Sequence, residues 1–184
     1  MEGIFIVFFS LTILISCNTT EKYYDNGTLK EIGKTSNGLK TGEWKFYHEN
    51  GVLFQVGKYY EDKEVGKWEL YHKNERLWQV GKFNEGKQTG EWLFFHSNGN
   101  SEGVGTLLNG AKVGIWKWNH TNGKIYTERL WENGKLKQII SCFDGEGNEL
   151  DKGSLISGSG TLNLFDIDGN QLETIRYENG EFVK

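Results

Sequence analysis

Short bursts of apolar residues, partly alternating with polar ones, recur along this chain. Trp44-Lys45-Phe46-Tyr47 is one burst and Val52 to Tyr60 is the next, with His48-Glu49-Asn50-Gly51 between them. Two-residue alternation bounded by turn residues predicts strands rather than helices. Asn-Gly marks hairpins, because both central residues of a type I′ turn need φ > 0. Eight such pairs begin at positions 26, 37, 50, 98, 109, 122, 133 and 179. Each pair of bursts therefore predicts a β-hairpin.

The hairpins keep a fixed period. Gly42, Gly66, Gly90 and Gly114 are 24 residues apart, as are Trp44, Trp68, Trp92 and Trp116, and as are His48, His72, His96 and His120, which are all four His of the chain. The unit reads Gly-x-Trp-x-aromatic-aromatic-His-x-Asn-Gly, followed by a second apolar stretch and a second Gly turn. Asn26-Gly27, Gly33 and Gly38 extend the register upstream. Downstream, Ile140, Cys142, Phe143 and Asp144 enter the Trp, Phe, Tyr and His columns. A two-residue deletion near Gly160 brings Leu162, Leu164, Phe165 and Asp166 into the same columns. About seven units result: a degenerate first repeat at 18–41, four 24-residue repeats at 42–137, and two degenerate C-terminal repeats at 138–184.

The predicted fold is all-β, an elongated single-layer antiparallel array of β-hairpin repeats. Two strands per unit place equivalent residues ~9.6 Å apart, giving a ribbon on the order of 60 Å long. Composition sharpens this. The chain has 25 Gly and no Pro, and 21 of the Gly fall in four columns. Those columns are read as turns. The absence of Pro is read as a ladder in which every strand is paired on both sides, where a lost N–H would break pairing.

The stretch Gly42-Glu43-Trp44-Lys45-Phe46-Tyr47-His48-Glu49-Asn50-Gly51, with its copies from Gly66, Gly90 and Gly114, resembles the MORN-repeat variant family. The resemblance implies a non-catalytic binding or scaffolding array, often secreted or lipid-anchored in bacteria. Some bacterial members carry a YwqK-type antitoxin label, which makes an antitoxin-like or immunity protein the alternative reading.

Gly3 to Ser16 is an apolar run of 14 residues, shorter than a spanning helix and suited to the core of a signal peptide. No Lys or Arg precedes it. Leu14-Ile15-Ser16-Cys17 resembles the lipobox of bacterial lipoproteins. That resemblance implies a lipoprotein signal peptide over residues 1–17, ending at the lipobox Cys17, with cleavage before that Cys and lipid on it. Asn18 is not the Asp that retains lipoproteins at the inner membrane, so the resemblance favours the outer membrane or cell surface.

Candidate chemistry is sparse. Equivalent His ~9.6 Å apart cannot share one zinc ion, whose ligands sit ~2.0–2.1 Å from it. Each His is read as opening its turn and bonding locally, as Asp144 and Asp166 do in the same column. Cys142 stands in a column of Phe, Leu and Trp and reads as a buried, inert thiol. No nucleophile elbow, phosphate loop or dinucleotide fingerprint occurs. A net charge of -4 leaves no electrostatic footprint for nucleic acid. Lys34, Lys58 and Lys82 read as a solvated face. The expectation is no enzyme, no catalytic residue, no cofactor and no metal. The Trp column is read as core, and Tyr47, Tyr71 and Phe95 on the opposite face as a binding surface for a protein or cell-envelope partner.

Overall fold

The computed structural model describes residues 17–183. The expected signal peptide and the side chain of Cys17 lie outside the described residues. Every regular element among those described is a strand. The strands are β1 (Cys17–Tyr23), β2 (Leu29–Ser36), β3 (Leu39–Tyr47), β4 (Leu53–Tyr60), β5 (Lys63–Tyr71), β6 (Leu77–Asn84) and β7 (Lys87–Phe95). They continue as β8 (Ser101–Leu108), β9 (Ala111–Asn119), β10 (Ile125–Glu132), β11 (Lys135–Cys142), β12 (Gly160–Phe165), β13 (Gln171–Glu178) and β14 (Glu181–Val183). β1 to β11 form one antiparallel sheet of 11 strands in chain order. This is the expected array of consecutive hairpins.

The core is a line of indoles laid on glycine. Trp44, Trp68, Trp92 and Trp116 are at most 2% exposed. Each ring covers the backbone of the preceding strand at Gly33, Gly57, Gly81 or Gly105, where a Cβ would collide with the ring. Tyr59 and Phe83 meet these rings edge-on, at centroid distances of 5.2 Å to Trp68 and 5.4 Å to Trp92 respectively. A single-layer sheet thus hides large aromatics by sinking them into notches of its own surface.

This overturns the reading of all four glycine columns as turns. Gly33, Gly57, Gly81 and Gly105 lie inside strands and serve close approach of an indole. Gly42, Gly66, Gly90 and Gly114 also lie inside strands, at φ of 66–71°. There the ladder jumps: Gly33 pairs with Trp44 and Lys34 with Thr41, leaving Gly42 and Glu43 without partners on β2. This is a β-bulge, which adds residues to one strand, here of the kind that carries a left-handed Gly. The Asn-Gly pairs also divide in two. At Asn37, Asn109, Asn133 and Asn179 both residues have φ > 0, as a type I′ turn requires. At Asn26, Asn50, Asn98 and Asn122 only the Gly does, within longer loops such as His48–Gly51.

Beyond Cys142 the two degenerate C-terminal units do not extend the ladder. β12, β13 and β14 form a separate three-stranded sheet. It packs over the end of the array through Leu136, Ile139, Leu155 and Leu162, with Trp131 and Tyr177 against them. Backbone bonds tie it down, Gly158 N–H to Lys137 O at 2.8 Å and Gly145 N–H to Ile167 O at 2.6 Å. The Trp column holds Ile140, not an indole, and in the ladder Ile139 stands opposite Arg129 of the glycine column, buried against Leu155 and Leu162 of the C-terminal segment. At the other end, β1 pairs with β2 alone among the described residues, so pairing on both sides does not hold for every strand.

Candidate binding face

Alternation along each strand gives the array two unlike faces. The indoles, with Phe46, Tyr59, Phe83 and Phe94, close one of them. The other carries three rows. Lys34, Lys58 and Lys82 form one margin. Ile32, Val56, Val80, Leu93 and Val104 run through the middle, interleaved with Lys45 and Glu69, as the register Ile32–Lys45–Val56–Glu69–Val80–Leu93–Val104 shows. Tyr47, Tyr71 and Phe95 form the far margin, opposite Leu53, Leu77 and Ser101. All of the middle and aromatic rows are half-buried rather than covered.

The three expected surface aromatics stand on β3, β5 and β7, so each is two strands, ~9.6 Å, from the next. They form a row, not one pocket. Tyr71 is the most engaged of them. Its hydroxyl donates to Glu69 Oε2 at 3.2 Å, and burial, then the Glu69 charge, pushes its phenol above the ordinary value. Tyr71 lines a groove of about 510 Å³ with Leu53, Val52 and Glu75, and a second of about 480 Å³ with Phe54, Trp78 and His96.

The histidines correct the sequence reading in a specific way. Each opens its turn as expected; His48 N–H donates to Val52 O and His48 O accepts from Gly51 N–H. The ring, however, bonds forward to the next unit rather than locally. His48 Nε2 meets Tyr71 O at 3.3 Å, His72 meets Phe95 O at 2.8 Å, His96 meets Asn119 O at 3.0 Å and His120 meets Phe143 O at 2.9 Å. Tyr24 takes the same column in the first unit and donates to Tyr47 O at 2.7 Å. Asn74, Asn98 and Asn122 side chains likewise donate to Ser97 O, Thr121 O and Gly145 O. A side-chain ladder therefore stitches one long edge of the sheet, directly behind the aromatic row. The other edge is stitched by backbone: Gly86, Gly110 and Gly134 N–H donate to Glu64, Gln88 and Lys112 carbonyls. Asp144 and Asp166 keep their bonds within the turn, each accepting from backbone amides and from the amide side chain four residues on, Asn148 or Asn170.

Cys142 is 1% exposed, and burial pushes its thiol up. Among the described residues, no three His, Cys, Asp or Glu side chains gather as metal ligands.

The profile of the MORN repeat variant matches residues 18–37, 40–62 and 112–133. The chain is a MORN-repeat protein. The units between the matched segments share the Trp, His and Gly columns with them. No curated protein matches the chain.

Proposed function

We propose that this MORN-repeat protein is a lipid-anchored, non-catalytic binder that holds an extended β-surface toward a protein or another component of the cell envelope. The observation that carries the reading is the inequality of the two faces. One is closed by indoles in their glycine notches. The other leaves a periodic, half-buried row of Tyr47, Tyr71 and Phe95 beside aliphatics, on a backbone pinned from unit to unit. Aromatics on a rigid frame are the residues that anchor interfaces, since they bury large area with little side-chain freedom to lose. The lipobox-like Leu14–Cys17 supports attachment to the membrane, with outer-membrane or surface exposure favoured by Asn18.

Two measurements test this. Metabolic labelling with a palmitate analogue should mark the chain, and Cys17→Ser should abolish the label; an unlabelled wild type sinks the anchor. Affinity capture from solubilised envelopes should recover the same partner with wild type and lose it with Tyr47→Ser/Tyr71→Ser/Phe95→Ser. These side chains lie off the core, so circular dichroism should show that the triple variant folds. Capture of the product of a neighbouring toxin gene, with protection on co-expression, would instead support the YwqK-type immunity reading.

A further inference from the structure

Two units of the array place a lysine ammonium over aromatic rings. Lys40 Nζ lies 4.0 Å from the Trp44 ring centroid, 4.7 Å from Phe46 and 5.3 Å from Tyr59. Lys112, three periods on, lies 4.6 Å from Trp116, 5.1 Å from Trp118 and 4.7 Å from Trp131. The two sites differ in their counter-charge. Lys40 also meets the Glu31 carboxylate at 3.0 Å. The residue three periods after Glu31 is Gly103, and the Trp118 ring packs on its backbone. No carboxylate lies within ion-pair distance of Lys112 among the described residues.

A second cation makes the imbalance larger. Arg129 stands in the column of Gly33, Gly57, Gly81 and Gly105, opposite Trp116 in the ladder. No indole follows to fill a notch there, since the Trp column holds Ile140. Arg129 is only partly exposed and its Nε is buried without a hydrogen-bond partner. Its charge acts on Lys112, whose amine is pushed down first by burial and then by that charge. The titratable groups acting on Arg129 are Tyr126, Tyr177 and Cys142, phenols and a thiol that carry no charge at neutral pH. Two desolvated like charges destabilise a fold unless an opposite charge meets them. A buried polar atom without a partner calls for the same remedy.

We infer that Lys112 and Arg129 form an oxyanion site, for a phosphate or carboxylate group, walled by Trp116, Trp118 and Trp131 beside the C-terminal sheet. The guanidinium supplies a planar donor set suited to two oxygens of one group, and the ammonium a third contact. Lys112, Arg129, Trp118 and Trp131 are each partly exposed.

Urea unfolding of the purified chain tests the site, in inorganic phosphate against chloride at equal ionic strength. Phosphate should lower the unfolding constant saturably, about elevenfold when it is ten times above its dissociation constant. Lys112→Met and Arg129→Met should each lose the response. Lys112→Arg, which keeps the charge, and Lys40→Met, whose site holds its own carboxylate, should retain it. Without phosphate, Arg129→Met should be at least as stable as wild type. A wild type indifferent to phosphate, or an equal response in both Met variants, overturns the proposal. Vesicles of phosphatidylcholine with phosphatidylglycerol locate the source. Co-sedimentation that both Met variants lose assigns the oxyanion to a lipid headgroup. A phosphate response without such a loss assigns it to a soluble or protein-borne group.

Discussion

Gly81→Ala probes the notch mechanism in the middle of the array, where two opposed effects give the outcome its sign. Alanine in a strand should stabilise by roughly 0.5–1 kcal/mol, because glycine loses more backbone freedom on folding. Against this, a Cβ on Gly81 would stand 2.6 Å from Trp92 Cγ and nearer still to Cδ2 and Cε2. Carbon atoms prefer about 3.5–4.0 Å, so the indole must retreat by more than about 1 Å. It has nowhere to go: Phe83 and Phe94 flank it at centroid distances of 5.4 Å and 6.5 Å. Overpacking of this kind costs about 1–3 kcal/mol, and a full-ring collision belongs at the upper end. The net expectation is a loss of about 2 kcal/mol, read as a fall of about 1 M in the urea midpoint at a slope near 2 kcal/mol/M. Trp92→Leu removes the ring and should make Gly81→Ala nearly harmless. The double-mutant cycle should therefore return a coupling of about 2 kcal/mol. If Gly81→Ala is neutral or stabilising in the presence of Trp92, the glycines are not seats for the indoles.

Three further outcomes follow from particular contacts. His72→Leu deletes the ring bond to Phe95 O and should destabilise by about 1 kcal/mol in urea melts, whereas a purely local role would leave the next unit's amide exchange unchanged. Glu31 is nearly buried, which raises its carboxyl pKa, but Lys22 at 2.6 Å and Lys40 at 3.0 Å outweigh that and hold it below the ordinary value. A depressed folded-state pKa stabilises above the ordinary carboxylate range and fades as pH falls through it; wild type should exceed Glu31→Gln in urea midpoint at pH 7 and converge with it near pH 3. The Cys142 thiol should resist iodoacetamide in the folded chain and react once urea unfolds it, as burial and its raised pKa require; labelling at the rate of a free thiol under native conditions contradicts that placement.

Much of the fold is legible in the sequence because each unit repeats the same local choices. Trp, the aromatic pair and Asn-Gly fix strands, faces and turns within one 24-residue period. What escapes is whatever depends on the neighbouring unit. Gly57 looks like a turn residue when read alone; only the position of Trp68 on the adjoining strand makes it a seat. A glycine inside an alternating strand, followed by Lys, was the available signal, since such a residue marks close backbone approach. His48 reads as a local turn residue because its acceptor, Tyr71 O, is 23 residues on. The C-terminal sheet departs from the array where Ile140 replaces Trp, a substitution visible in the sequence whose consequence is set by packing. Of the candidate face, the aromatic row of Tyr47, Tyr71 and Phe95 is visible from alternation. Its partners Leu53 and Leu77 depend on the bulged register next to each loop.

The most direct measurement of the central claim is site-specific photocrosslinking in intact cells. A photoreactive residue is placed at Tyr47, Tyr71 or Phe95, and at Glu64 on the opposite face. The account predicts adducts of one common partner from the three aromatic positions and none from Glu64. Adducts of equal yield from Glu64, or no adduct from any of the three, would contradict it.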